Sequence, residues 1–189
     1  MKPTFIILPA TSPTDATYGI TPTQVEGGIQ AETFQVRFDQ EVWYNAQYRA
    51  LTYEQIARRK ITGRKILVGF SKSGLGAINL CLDHPGEFAA ALIFDSPLSL
   101  WLQPPWNTTV FYDQVHWEQD LPVLNLERIR EMLGLTRLIH IGGRNFSDQH
   151  DAFAAALGEH PSACSYFKEP EMVHHWSSGW LEKYAHEAL

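Results

Sequence analysis

The stretch ILVGFSKSGLGA, residues 66–77, carries a serine at the point where an apolar run stops and a helical pattern begins. Ser71 has Gly69 two residues before it and Ser73 two residues after. A serine at a strand-to-helix bend needs small neighbours at both of those positions, because the turn folds strand and helix against each other. Ser73 meets that demand less well, since Leu75 stands two residues beyond it. The helix that follows would aim its first backbone N–H groups, chiefly that of Lys72, at any oxyanion formed beside Ser71. Two readings fit these spacings: a nucleophile on a strained elbow, or an ordinary Gly/Ser turn. GFSKSGLG lacks the Gly-Lys-Ser/Thr order of a phosphate loop. His140, His150, His174 and His175 match no metal-ligand spacing, and His140 falls inside a strand pattern.

The elements that would carry this serine alternate along the chain. Apolar strand patterns fall at 5–9, 33–38, 65–70, 89–94, 137–142 and, as an edge strand, 164–170. Helical patterns fall between them. A short one at 22–31 is weakened by Gly27-Gly28, and one capped by Thr52 ends at Gly63. Others follow the elbow as far as Pro85, at 126–134, over DQHDAFAAALGEH, and at about 176–188. Strands alternating with helices predict an α/β fold: three layers, with a mostly parallel sheet of about six strands covered on both faces.

The segment 97–125 breaks the alternation. It has no clean period and holds Trp101, Trp106, Phe111, Tyr112 and Trp117. Irregular stretches of this length in compact domains are usually lids or binding loops, so these aromatics are expected to form an apolar substrate pocket, or else a satellite core beneath a loop.

The composition sets outer limits. The 189 residues suit a single domain, with 44% hydrophobic and 19% charged residues and a formal charge of −6. No basic run suggests nucleic acid, and no stretch approaches a membrane span. Phe5–Leu8 is too short for a secretory signal. Cys81 and Cys164 form no CxxC pattern and read as free thiols. A cytoplasmic location and no metal or organic cofactor are expected.

LVGFSKSGLGAINLCLDHPGEFAAALIFDSPL (67–98) resembles the elbow region of α/β-hydrolase esterases, with their strand, G-x-S-x-G turn, helix, His-Pro and next strand. Ser73 stands where that motif has its second glycine, with Gly74 just behind. The element order is similar to that fold entered at its third strand, a minimal form without the first two antiparallel strands.

The resemblance implies a serine hydrolase acting on small-molecule carboxylic esters or thioesters, with Ser71 as nucleophile. It implies a second oxyanion donor in the loop after the first strand, where Thr11 N–H is the natural choice beside Lys72. It implies a histidine before the last helix, which is His174 or His175. The run Trp176, Trp180, Tyr184 on one helical face favours His175. It implies an acid after the strand 137–142, for which Asp148 ranks first, Asp95 second and Asn145 third, although Asp148 also suits a helix N-cap. The alternative is a non-catalytic binding or scaffolding protein that kept the fold and lost its triad.

Overall fold

The computed structural model of the protein describes residues 2–99, 114–158 and 162–189. Among these residues the sheet has six strands in the order β2-β1-β3-β4-β5-β6. The strands are β1 Thr4–Ile7, β2 Glu32–Gln35, β3 Lys65–Phe70, β4 Ala90–Phe94, β5 Arg137–Gly142 and β6 Cys164–Lys168. Every neighbouring pair is parallel. Parallel strands must be covered on both faces, which is why the central ones are apolar throughout rather than alternating.

The pleat divides those apolar residues between two cores. Ile6, Leu67, Ala91, Ile93 and Leu138 face one side. There they meet α1 (Ala46–Arg58), α2 (Lys72–Asp83), α4 (Leu126–Leu133) and α5 (Ser147–Leu157). Phe5, Ile7, Ile66, Val68, Phe70, Leu92, Phe94, Ile139 and Ile141 face the other side. That core is closed by the last helix, Trp180–Tyr184, and the 3-10 turn Ala185–Ala188. The protein has the α/β-hydrolase-like arrangement, with helices on both faces of a parallel sheet.

Several boundaries differ from the sequence expectation. Residues 22–31 form no helix, because Gly27 and Gly28 take φ of 87° and 77°, outside the helical region. Helix α1 starts six residues before Thr52, at Ala46. Asn45 caps it by accepting from Tyr48 N, and Thr52 sits mid-helix with its hydroxyl donating to Tyr48 O. Helix α5 starts at Ser147, so Asp148 lies in its first turn instead of capping it. The final helix begins at Trp180, four residues later than expected, and Trp176 precedes it in a turn.

Of the segment 97–125, residues 100–113 lie outside the described region, and with them Trp101, Trp106, Phe111 and Tyr112. Its far end is helix α3 (Gln114–Asp120) followed by a 3-10 turn, Pro122–Leu124. Trp117 is buried against Leu75 and Leu121, with its ring edge on Trp43. It therefore fills a satellite core between α3 and α2. Arg49 anchors the same end, donating to Asp83 at 2.6 Å, to Asp120 at 2.5 Å and to Tyr44 O at 2.9 Å.

Two histidines are sealed between β5 and α5. Ser96 N donates to His150 Nε2 at 2.9 Å, so that nitrogen carries no proton and Nδ1 does. His150 Nδ1 then donates to His140 Nδ1 at 3.1 Å, and His140 stacks on Tyr166. Burial pulls His140 down to about 3, and burial together with His140 holds His150 well below the ordinary histidine range.

The unfolded chain protonates both rings below about pH 6.5 and the folded chain does not, so stability is full above that pH and is lost as pH falls. Each ring contributes up to about 1.4 kcal/mol per pH unit. The urea midpoint should fall steadily below about pH 6.5. His140→Phe, which keeps a ring on Tyr166 but binds no proton, should flatten the dependence by one histidine's share. A midpoint that ignores pH in this range would show that the rings are not held neutral.

Candidate active site

Strand β1 is paired with β2 on one side and β3 on the other, so the chain reverses its direction of build-out between β1 and β3. Ligands of open parallel sheets bind at such a switch point, beyond the C-terminal strand ends. Ser71 follows β3 directly, and the loop carrying Thr11 follows β1.

Ser71 has φ 53° and ψ −128°, a conformation L-residues rarely adopt. Its N–H continues the sheet ladder to Phe94 O at 2.9 Å, while Gly74 N and Leu75 N turn back to its carbonyl. The chain thus changes from strand to helix within one residue. That sharp turn explains Gly69, where a Cβ would lie 2.5 Å from Ser73 O and 2.6 Å from Gly74 Cα.

The second glycine of the family pattern has moved to position 74. A Cβ there would stand 1.9 Å from Ser96 Oγ on the neighbouring strand end. Ser73 is fully buried, and its hydroxyl accepts from Phe70 N and donates to Phe70 O, both at 2.9 Å. It clasps the turn from inside. A serine fits here because the closest approach falls one residue later.

Asp95, directly after β4, is the other L-residue at a strand end with positive φ, 44°. Its side chain is fully buried. Oδ1 accepts from Phe146 N at 2.7 Å and Oδ2 from Asn145 N at 3.1 Å. Oδ2 also meets His174 Nδ1 at 2.7 Å. Gly143 lets the loop come this close, since a Cβ there would lie 2.8 Å from the Asp95 carboxyl carbon. With Nδ1–H donated to the carboxylate, His174 Nε2 is left as the basic nitrogen. The imidazole sits in an aromatic slot formed by Phe70, Tyr18 and Phe146, at centroid distances of 4.4, 5.2 and 5.5 Å.

The residues ranked first as acid and base are not the pair the structure brings together. Asp148 is exposed in the first turn of α5, where its charge suits the helix dipole. The loop after β5 supplies backbone N–H donors instead of a carboxylate, and those donors hold Asp95. Asn145 contributes its main chain to that grip.

His175 turns away, its ring lying over Gly19 and its Nδ1 accepting from Ser177 N at 3.1 Å. The helical-face argument for His175 needed a helix from 176. With the helix starting at Trp180, the facing of Trp176 says nothing about its neighbour. Asp95 with His174, the alternatives in the sequence reading, form the carboxylate–imidazole pair. Tyr18, Ser96, Gly143 and Phe146 were not singled out at all. The closely spaced Gly142-Gly143 after an apolar strand is the one signal from which a tight approach there could have been read.

Thr11 is buried, and its hydroxyl donates to Gly19 O at 3.0 Å, which leaves its backbone as the group to consider for an oxyanion. Lys72 is the first residue of α2, so its N–H has no partner within the helix. Its side chain is buried, lies 5.3 Å from the Trp43 ring centroid and pairs with Glu41. Burial pulls its ammonium down to about 8, with Asp15 opposing the shift. Among the described residues no group of three or more His, Cys, Asp or Glu side chains could hold a metal ion, and both cysteines are free. No described helix is long and apolar enough to cross a membrane.

Comparison with known proteins agrees with this architecture. Residues 50–178 match the model of a family described as putative esterase. That span runs from within α1 past His175 and contains Ser71, Asp95, Asp148 and both histidines. The fold is similar to that of FphF, a fluorophosphonate-binding serine hydrolase of Staphylococcus aureus, with a TM-score of 0.63 at 12% identity, covering 100% of this chain and 83% of that one. A thermophilic esterase aligns with a TM-score of 0.47 at 15% identity, over 99% and 86% of the two chains. The peroxisomal α/β-hydrolase Lpx1 of Saccharomyces cerevisiae gives 0.47 at 9%, over 98% and 77%. No curated protein sequence matches the chain.

The strain at Ser71 can be measured. Non-glycine residues in such regions cost about 1–3 kcal/mol, which glycine avoids. Ser71→Gly should therefore be more stable to urea than Ser71→Ala by about 1 kcal/mol. Equal stabilities would mean that the turn is relaxed.

Proposed function

The chain belongs to the putative esterase family, and on that basis we propose that it is a serine hydrolase of carboxylic esters or thioesters, with Ser71 as nucleophile, His174 as base and Asp95 as acid. The observation that carries this reading is the 2.7 Å contact between His174 Nδ1 and a fully buried Asp95 carboxylate, beside a serine on a strained elbow.

In the proposed cycle Ser71 Oγ attacks the acyl carbon and its proton passes to His174 Nε2. Asp95 stabilises the imidazolium and keeps the ring in the tautomer that can accept. The developing oxyanion takes hydrogen bonds from the N–H groups of Lys72 and Thr11. Collapse expels the alcohol or thiol with the proton from His174. Water then attacks the acyl-enzyme with the same histidine as base, releasing the acid and free Ser71.

Exposed Tyr18 and Val173 flank His174, which gives that side of the site an apolar rim suited to an acyl or alkyl group. The non-catalytic alternative drew on the absent first strands, the absent His-Gly after the first strand and a misplaced acid, and Asp95 held by two backbone N–H groups and an imidazole counts against the last of these.

Intact-mass analysis after treatment with a fluorophosphonate tests the reading. One adduct per chain is expected, absent in Ser71→Ala and slowed by several powers of ten in His174→Gln. Asp95→Asn should lower ester turnover by about 10⁴-fold, the effect of replacing the acid in serine-protease triads. Asp148→Asn and His175→Gln should stay near wild type. Labelling that survives Ser71→Ala would sink the proposal.

A further inference from the structure

The backbone that leaves β4 through the acid reads Asp95-Ser96-Pro97-Leu98-Ser99, and each N–H in it has a specific taker. Asp95 N donates to Ile141 O at 2.8 Å, in the sheet. Ser96 N donates to His150 Nε2 at 2.9 Å. Leu98 N and Ser99 N both donate to Gln149 Oε1 at 3.1 Å. Pro97 has no N–H to satisfy.

Two consecutive side chains in the first turns of α5 therefore hold the whole exit from the acid. The residues just before that helix, Asn145 and Phe146, hold the Asp95 carboxylate with their own N–H groups. Ser96 also packs against the helix that follows the nucleophile: its hydroxyl donates to Phe94 O at 3.1 Å and lies against Gly74 in the first turn of α2. It is wedged between the helix behind Ser71 and the ring of His150.

We propose that His150 is a positioning residue for the acid: by capturing Ser96 N–H it holds the positive-φ turn at Asp95 in register with the helix that begins at Ser71. The inference rests on Asp95 being the acid of the reading above. His150 acts through Ser96 and touches no reacting atom. Its own orientation is fixed by the proton it gives to His140 Nδ1, because a ring with that tautomer can offer only a bare Nε2 to Ser96. An ordinary core histidine fills space. This one supplies an acceptor to a backbone that has no ladder partner at that point, next to a residue in a conformation the chain would otherwise leave.

The test is steady-state kinetics of the full chain on a chromogenic short-chain acyl ester, below the melting temperature of each variant. His150→Phe keeps the ring and loses the acceptor. Its kcat should fall about 10- to 100-fold, by analogy with outer hydrogen-bond partners that orient metal ligands, with KM unchanged. His150→Gln places an acceptor oxygen at similar reach and should restore most of that loss.

A folded His150→Phe with wild-type kcat overturns the inference, as does an equal loss in the Phe and Gln variants. Should His150→Phe not fold, His140→Phe removes the acceptor of the His150 Nδ1–H that fixes the ring's orientation, while leaving His150 in place. It should then lower kcat with KM unchanged, and wild-type kcat in that variant overturns the inference. Asp95→Asn run alongside separates the two levels of argument. Full turnover in Asp95→Asn means that the acid assignment is at fault. Loss in Asp95→Asn with none in His150→Phe means that the assignment stands and this inference falls.

Discussion

A carboxylate with no exposure to water has to be met by donors, and the donors Asp95 finds determine how this end of the molecule is built. Two backbone N–H groups come from the loop after β5 and one N–H from the imidazole of His174. For the loop to reach it, position 143 must lack a side chain. Where the carboxylate meets the loop, the backbone at Asp95 takes positive φ. For that backbone to stay there, the following N–H groups need partners, and α5 provides them through His150 and Gln149. One buried charge thus links β4, the β5 exit loop, α5 and the loop before the last helix.

The nucleophile side follows the same logic with different atoms. A serine at φ 53° is held by Ser73 clasping Phe70 from within and by Gly69 and Gly74 admitting their neighbours. Ser96 joins the two strained positions, since its hydroxyl fills the space beside Gly74 and its N–H is bound by His150. Strain at both strand ends persists because packing on either side leaves no relaxed alternative. The parallel sheet sets β3 and β4 side by side and so places the two turns next to each other.

What the sequence made legible was local. The fully apolar strands, the six-strand alternation and the elbow at Ser71 depend on residues within a few positions of one another. The start of α1 was misplaced because Thr52 looks like a cap in isolation, whereas Asn45 has the Tyr48 N–H to accept. The pair Gly27-Gly28 argued against a helix, and its positive φ values carried the outcome. The partners of Ser71 were harder to read, since they depend on which way a loop faces. Asp148 and Asp95 both follow strands, and choosing between them requires knowing that the β5 loop offers N–H donors across the sheet to its neighbour. His174 and His175 differ by one residue, and the turn before the late-starting final helix has no period from which to read which ring enters the slot between Phe70 and Tyr18.

The central claim is that His174 Nδ1–H is bound by the Asp95 carboxylate. Proton NMR reads that bond directly, because an imidazole proton shared with a buried carboxylate resonates far downfield and exchanges slowly. The account predicts such a resonance in the wild-type protein, lost in His174→Gln and in Asp95→Asn, and kept in His175→Gln and Asp148→Asn. A downfield proton that survives His174→Gln and disappears in His175→Gln would contradict it.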